Sequence, residues 1–240
     1  NKFMNYYFIT GTSSGIGKAL VQELLKYPHQ HIFGLSRSNK LCEEEFTHKV
    51  IDLSKPSEVE AFEFPTLKTT RKIVLVNNAG TLGEIQYVGQ QSNQNIQDVM
   101  QVNFTSAAIL MNKFIAAYQD YPCEKIIVNI SSGAATFAYD GWANYCSAKA
   151  ALNMYTEVIN KEQLHRTHPV LSFAIAPGVV DTLMQDLIRE VSAEQFSQIE
   201  KFKGLKENDH LYKARDVARR LVELIVDPKL IPSLISRIQL

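Results

Sequence analysis

The run Tyr6 to Thr10 (YYFIT) passes directly into Gly11-Thr-Ser-Ser-Gly15-Ile-Gly17, and then into a segment carrying Leu20, Val21, Leu24 and Leu25 on one side. β-Branched and aromatic residues, then glycines, then a helical apolar spacing predict a strand, a tight turn and an amphipathic helix. That order constrains the fold more than any other feature of the chain. Glycines let a backbone turn sharply and approach a ligand closely, and the first amides of the following helix point at an anion, so the unit suits a pyrophosphate. Its G-x-x-x-G-x-G spacing differs from G-x-G-x-x-G. Lys18 follows Gly17 with no Ser or Thr after it, which excludes an ATPase-type phosphate loop.

The rest of the chain repeats the alternation. The first helix ends near Tyr27-Pro28, His31 to Leu35 reads as a second strand, Val50 to Leu53 closes a third, and Ser54-Lys55-Pro56 with Glu58 starts a helix. Ile73 to Val76 is apolar throughout, as a parallel strand buried on both faces should be. Asn95 to Tyr118 is a long helical pattern interrupted near Asn103. Lys125 to Ile130 and Val170 to Ala176 read as strands, Ala143 to Leu164 and Ala214 to Val226 as helices, and Leu234 to Ile238 as a last strand. Without repeats, low-complexity tracts or a linker, the pattern predicts one α/β domain over residues 1–240. It is a doubly wound parallel sheet with helices on both faces, its ligand site beyond the strands' carboxyl ends.

The segments at those ends carry the candidate cofactor residues. About 20 positions past the glycines, where an acidic residue would hold an adenosine 2′-hydroxyl, stands Ser36-Arg37-Ser38. A guanidinium flanked by hydroxyls suits a 2′-phosphate and argues for NADP over NAD; a surface arginine is the plain alternative. Asp52 can accept from an adenine amino group with Leu53 against the ring, although a turn or cap would need no ligand. Asn77-Asn78-Ala79-Gly80 is small and amide-bearing, and Pro177-Gly178 turns backbone amides and Thr182 toward the same crevice. Leu183, Met184, Leu187 and Ile188 form an apolar helix that either covers the site or is ordinary surface. Asn103, an amide inside an apolar stripe, has to be hydrogen-bonded, to the backbone directly or through water.

The chemistry lies between Asn129 and Lys149. Tyr145 and Lys149, four apart, share one face of a helix that starts at Ala143, and Ser132 ends the preceding strand. Bringing a tyrosine from about 10 to about 7 takes about 4 kcal/mol, which one cation about 4 Å away supplies at an effective dielectric of about 20. The expectation is a phenol made acidic by the lysine, with Ser132 meeting the same substrate oxygen. An isolated Y-x-x-x-K is as readily a core phenol and a solvated amine, so the pair gains its meaning from the nucleotide site.

Charge and cysteine content close off other classes. Lys plus Arg (25) equals Asp plus Glu (25), so neither nucleic acid nor an anionic membrane is favoured as partner. Cys42, Cys123 and Cys146 are too widely spaced for a metal knuckle and fit a reducing compartment; Cys146 reads as a small buried residue or a reactive thiol. No apolar run approaches the length of a membrane span and no signal peptide is evident, so the expectation is a cytoplasmic protein acting on a small molecule, with no metal.

Taken together, Thr10-Gly11-x-x-x-Gly15-x-Gly17, Asn77-Asn78-Ala79-Gly80, Ser132, Tyr145-x-x-x-Lys149 and Pro177-Gly178 resemble the short-chain dehydrogenase/reductase family over nearly the whole chain. Ser-Arg-Ser, Gly-Trp-Ala-x-Tyr-Cys and Ala-Pro-Gly-Val-Val-Asp-Thr-x-Met-Gln resemble its sepiapterin reductase-like branch, whose bacterial members include benzil reductases that form (S)-benzoin. The resemblance implies a Rossmann-type fold and NADPH-dependent reduction of a carbonyl, with Tyr145 as proton donor, Ser132 bonded to the carbonyl oxygen, Lys149 on the nicotinamide ribose and Asn103 holding a relay water. It also implies that Gly11, Ser13, Ser14, Ile16 and Arg37 cradle the phosphates. Asp52 and Leu53 would meet adenine, Asn78, Ala79 and Gly80 the ribose, and Pro177, Gly178, Val180 and Thr182 the carboxamide. Phe137, Tyr139, Trp142, Leu183 and Met184 predict a large apolar substrate pocket, suited to a bulky or aromatic ketone or a 1,2-diketone. The branch's C-terminal acidic anchor for a pterin has no counterpart in Ser-Leu-Ile-Ser-Arg-Ile-Gln-Leu, so a pteridine reductase is the second reading and a non-catalytic NADP-binding sensor a third. The long helices corresponding to Asn95–Tyr118 and Ala143–Leu164 imply a homodimer.

Overall fold

The computed structural model describes residues 3–38 and 43–240, so Cys42 lies outside the described residues. The strands are β1 (Met4–Thr10), β2 (Gln30–Ser36), β3 (Phe46–Val50), β4 (Thr70–Asn77), β5 (Glu124–Ile130), β6 (Val170–Ala176) and β7 (Ile235–Arg237). They form one parallel sheet in the order β3-β2-β1-β4-β5-β6-β7. The helices are α1 (Gly15–Leu24), α2 (Pro56–Ala61), α3 (Asn93–Met100), α4 (Ser106–Tyr118), α5 (Ala143–Gln163), α6 (Leu183–Glu190), α7 (Ile199–Glu207) and α8 (Ala214–Val226). A π-helical turn, Gln101–Thr105, joins α3 to α4.

Alternation along the central strands sends successive residues into two cores. Tyr7 and Ile9 of β1 with Val74 and Val76 of β4 pack against Leu20, Leu24, Leu221 and Ile225 of α1 and α8. Phe8, Ile73 and Leu75 face Leu110, Phe114, Leu152 and Ile159 of α4 and α5 on the other side. A strand whose every position is buried has to read as a continuous apolar run, as Ile73 to Val76 does. Strand order reverses between β1 and β4, which opens a crevice at their carboxyl ends.

Two boundaries differ from expectation. The third strand ends at Val50 and does not run on to Leu53: Asp52 gives its N–H to Glu58 Oε2 at 2.7 Å, so the chain leaves the ladder although Ile51 and Leu53 remain buried. The last strand is only Ile235–Arg237, at the sheet edge.

A buried polar relay fixes α5 on the sheet. Asn77 Nδ2 donates to Asn129 Oδ1 at 2.8 Å, Asn129 Nδ2 to Thr156 Oγ1 at 2.9 Å, and Thr156 Oγ1 to the Leu152 carbonyl at 2.9 Å. In a low-dielectric core such bonds admit only one register, so the first turns of α5 come to rest at the strand ends.

Candidate active site

The crevice is a cleft of about 1150 Å³, above the few hundred to about 1,000 Å³ common for ligand pockets. The proposed cofactor, catalytic and substrate residues line it except Asn103, and Gly17, Asn77 and Leu187 also stand off the lining. At one end the glycine turn is drawn tight. Gly11 (φ 73°) and Gly15 (φ 54°) occupy the left-handed region, and a Cβ on Gly17 would lie 2.2 Å from the Gly11 carbonyl oxygen and 2.5 Å from Asn78 Nδ2. Asn78 Nδ2 donates to the carbonyls of Thr10 and Gly11 at 3.0 and 3.3 Å, while Thr10 Oγ1 accepts from the N–H groups of Asn78 and Ala79 at 2.9 and 3.0 Å. The Asn78 side chain therefore holds the turn and leaves no donor to spare for a ribose.

Ser14 and Thr182 stand at the N-caps of α1 and α6, and neither side chain caps its helix. Both helix starts line the cleft, where a helix N-terminus favours an anion, so the residues fit a dinucleotide. Arg37 is exposed at the end of β2 and near enough to Asp52 to help hold that carboxyl below its ordinary range, after the larger effect of the Ser54 hydroxyl. One detail corrects the sequence reading, since the Ser36 hydroxyl is not free for a phosphate. It is buried and bonded to the Ser38 carbonyl at 2.9 Å, to His48 Nε2 at 2.9 Å and to Thr12 Oγ1 at 3.1 Å. With one proton, given to the carbonyl, it accepts from the other two and anchors the Arg37 turn.

At the other end Tyr145, Lys149 and Ser132 converge. Lys149 is buried, donates from Nζ to the Ile130 carbonyl at 2.7 Å, and lies 5.8 Å from the centre of the Tyr145 ring. The expected lowering of the phenol is overturned: burial pushes Tyr145 up, and the nearby Ser132 hydroxyl offsets only part of that rise. The lysine is itself brought down to about 8 by burial. Desolvation, which disfavours both charged forms, outweighs the pairwise attraction that spacing alone suggests.

Asn103 stands behind this group. Its Oδ1 accepts from Thr81 N–H and its Nδ2 donates to the Thr81 carbonyl, both at 2.7 Å, so the amide is bonded to the backbone directly and no water is needed for it. That pairing lies at the π-helical turn, the interruption seen in the sequence. A Cβ on Gly80 would meet Asn103 Oδ1 at 3.3 Å and Lys149 Nζ at 3.6 Å, which places the three together.

An aromatic wall closes the far side. Trp142 stacks on Phe196 (5.0 Å between centroids, 26°), lies 4.9 Å from Tyr139 and 5.5 Å from Phe202, and meets the Tyr145 ring edge-on at 6.0 Å. Met184 borders it, while Phe137 and Leu183 stand at the mouth, 67% and 71% exposed. Phe196, Ile199 and Phe202 do not stand out in the sequence; Ile199 and Phe202, three apart, share a face of α7, and Phe196 lies in the turn before it. Lys201 and Arg237 also line the cleft. No group of metal-ligating side chains and no helix long and apolar enough to cross a membrane occurs among the described residues.

Comparison with known proteins agrees with this geometry. The family described as short chain dehydrogenase matches residues 5–193. Benzil reductase ((S)-benzoin forming) of Bacillus subtilis (strain 168) is 36% identical over 229 residues, covering 92% of this chain and 93% of that protein. Sepiapterin reductase of Rattus norvegicus is 33% identical over 212 residues, 78% of each chain. Among solved structures the KRED1-Pglu enzyme superposes with a TM-score of 0.79 at 26% identity, over 93% of this chain and 95% of that one.

Proposed function

This chain belongs to the short-chain dehydrogenase family, and on that premise we propose that it reduces a bulky, apolar ketone or 1,2-diketone such as benzil to a secondary alcohol with NADPH. The observation that carries the reading is the meeting, in one cleft, of the Tyr145 phenol, the Ser132 hydroxyl and a glycine turn shaped for a dinucleotide. NADPH, when bound, would supply the hydride that reaches the carbonyl carbon. Ser132 orients the carbonyl oxygen, and Tyr145 gives that oxygen its proton. Lys149 Nζ, with one of its three donors on the Ile130 carbonyl, would hold ribose hydroxyls with the others. With the Asn103 amide engaged by Thr81, a relay water falls to the main chain of the π-turn.

A raised phenol suits this direction. The oxygen left after hydride addition is about as basic as hydroxide, whose conjugate acid has a pKa of about 16, so proton transfer from a phenol raised by burial is still downhill. A lowered phenol matters for the reverse reaction, in which tyrosinate takes the proton. Arg37, with no carboxylate in the Ser36-Arg37-Ser38 segment, supports NADP over NAD.

The relation to sepiapterin reductase supports a pteridine as second substrate class, but the C-terminal strand brings Arg237 to the cleft and no carboxylate to anchor a pterin. Assays with benzil and sepiapterin side by side, each with NADPH and NADH, separate the readings. The expected result is NADPH oxidation with benzil at least about tenfold faster than with either sepiapterin or NADH, a difference of about 1.4 kcal/mol. Preference for sepiapterin would replace the substrate class, and equal use of NADH would remove the role of Arg37. We also propose a homodimer through α4 and α5; Met154 and Val158 of α5 and Leu164 just after it stand 60%, 43% and 73% exposed, and a single-chain mass by light scattering would exclude it.

A further inference from the structure

Behind the aromatic wall, outside the cleft, three segments distant in sequence meet at two residues. Asp140 Oδ2 accepts from the Ser197 N–H at 2.8 Å and from the Tyr87 hydroxyl at 2.9 Å, and its Oδ1 accepts from the Ser197 hydroxyl at 2.9 Å. Its neighbour Gly141 (φ 76°) gives its carbonyl to the Gln86 N–H at 3.1 Å and lies so close to the chain that a Cβ would be 2.4 Å from the Gln195 carbonyl oxygen. Gln195 Nε2 closes the junction on the Ile85 carbonyl at 3.4 Å. The turn before α5, the loop after β4 and the approach to α7 are thus joined at Asp140-Gly141.

Ser197 follows Phe196, which is fully buried and stacks on Trp142, and precedes Ile199 and Phe202 of the same wall. The nine-residue α7 starts at Ile199 with no side-chain cap from Gln198 before it, and packs on α6, itself eight residues long. Helices this short have little stability of their own, so tertiary anchors set their place. A carboxylate holding three donors is a strong anchor. Burial pushes the Asp140 carboxyl up, and the Ser197 and Tyr87 bonds more than offset this, leaving it below its ordinary range and ionised at neutral pH.

We propose that Asp140 is a positioning residue for substrate specificity: by clasping Ser197 and Tyr87 it holds Phe196 and α7 against Trp142 and so fixes the wall that a bulky substrate meets. This rests on the reading that the wall faces the substrate, and part of the test is independent of that reading. Trp142 is the sole tryptophan of the chain, so its fluorescence reports the wall directly. In Asp140→Ala, acrylamide quenching of that fluorescence is expected to rise at least about threefold, because the ring loses a fixed neighbour. The KM for benzil is expected to rise about tenfold, the scale of one charge-assisted hydrogen bond, with kcat and the KM for butane-2,3-dione within about twofold. Asp140→Asn, which keeps an acceptor, should fall between the two, and Ser197→Ala serves if Asp140→Ala does not fold. Quenching and benzil KM indistinguishable from wild type in all these variants would overturn the clasp. Raised quenching in a protein whose wild type ignores benzil would leave the clasp standing and remove aromatic diketones as the substrate class.

Discussion

Tyr145→Phe is expected to lower turnover by about 10³-fold while NADPH binding stays within about twofold of wild type. The variant removes one hydroxyl and keeps the ring that meets Trp142 edge-on, so the aromatic wall is retained. The loss falls on the proton donor, and general acid catalysis contributes about 10²- to 10⁴-fold. Ser132 remains, but its hydroxyl already accepts from the Ala134 N–H at 3.1 Å and is a far weaker acid than a phenol. Stopped-flow measurement of NADPH oxidation with a fluorescence titration of cofactor separates the two effects. Turnover within threefold of wild type would mean that the proton comes from elsewhere; loss of NADPH binding would mean that the substitution damaged the fold.

The second large effect is expected for Gly17→Ala. The added Cβ would lie 2.2 Å from the Gly11 carbonyl oxygen and 2.5 Å from Asn78 Nδ2, and neither atom can yield, since one is backbone and the other is held by Thr10 and Gly11. The start of α1 has to move off the turn, at a cost of about 1–3 kcal/mol as for an overpacked core. The amides aimed at the pyrophosphate move with it. NADPH affinity is expected to fall by about 100-fold or more, with a lowered melting temperature. Gly133→Ala is the control: a Cβ there meets nothing within 4 Å, so its melting temperature should match wild type. Equal NADPH affinity in both variants would show that the turn does not hold the cofactor.

What was legible in the sequence, and what was not, follows from the range of the forces involved. β4 and its neighbours could be read because burial on both faces demands an unbroken apolar run, and the glycine turn because its backbone conformation leaves little choice of residue. Tyr145 and Lys149 were found by helical spacing. The behaviour of the phenol was not, because burial is set by Trp142 and the rest of the wall, and desolvation reversed the shift that spacing suggests. β3 was misjudged because Ile51 and Leu53 alternate like a strand while a side chain six residues on, Glu58, takes the Asp52 N–H. The wall from Phe196 to Phe202 lay hidden among charged residues in a segment whose helix has no cap signal. Its anchor, Asp140, is 57 residues away, and no local pattern marks a contact of that range.

Reduction in this cleft requires one carbonyl oxygen to meet both the Tyr145 and the Ser132 hydroxyls. A crystal structure of the ternary complex with NADP and benzoin tests this most directly. The expected result is the reacting oxygen about 2.6–3.2 Å from both the Tyr145 and the Ser132 hydroxyls, with the phenyl groups against Trp142 and Tyr139. An oxygen bound away from Tyr145, with the nucleotide correctly seated on the glycine turn, would contradict it.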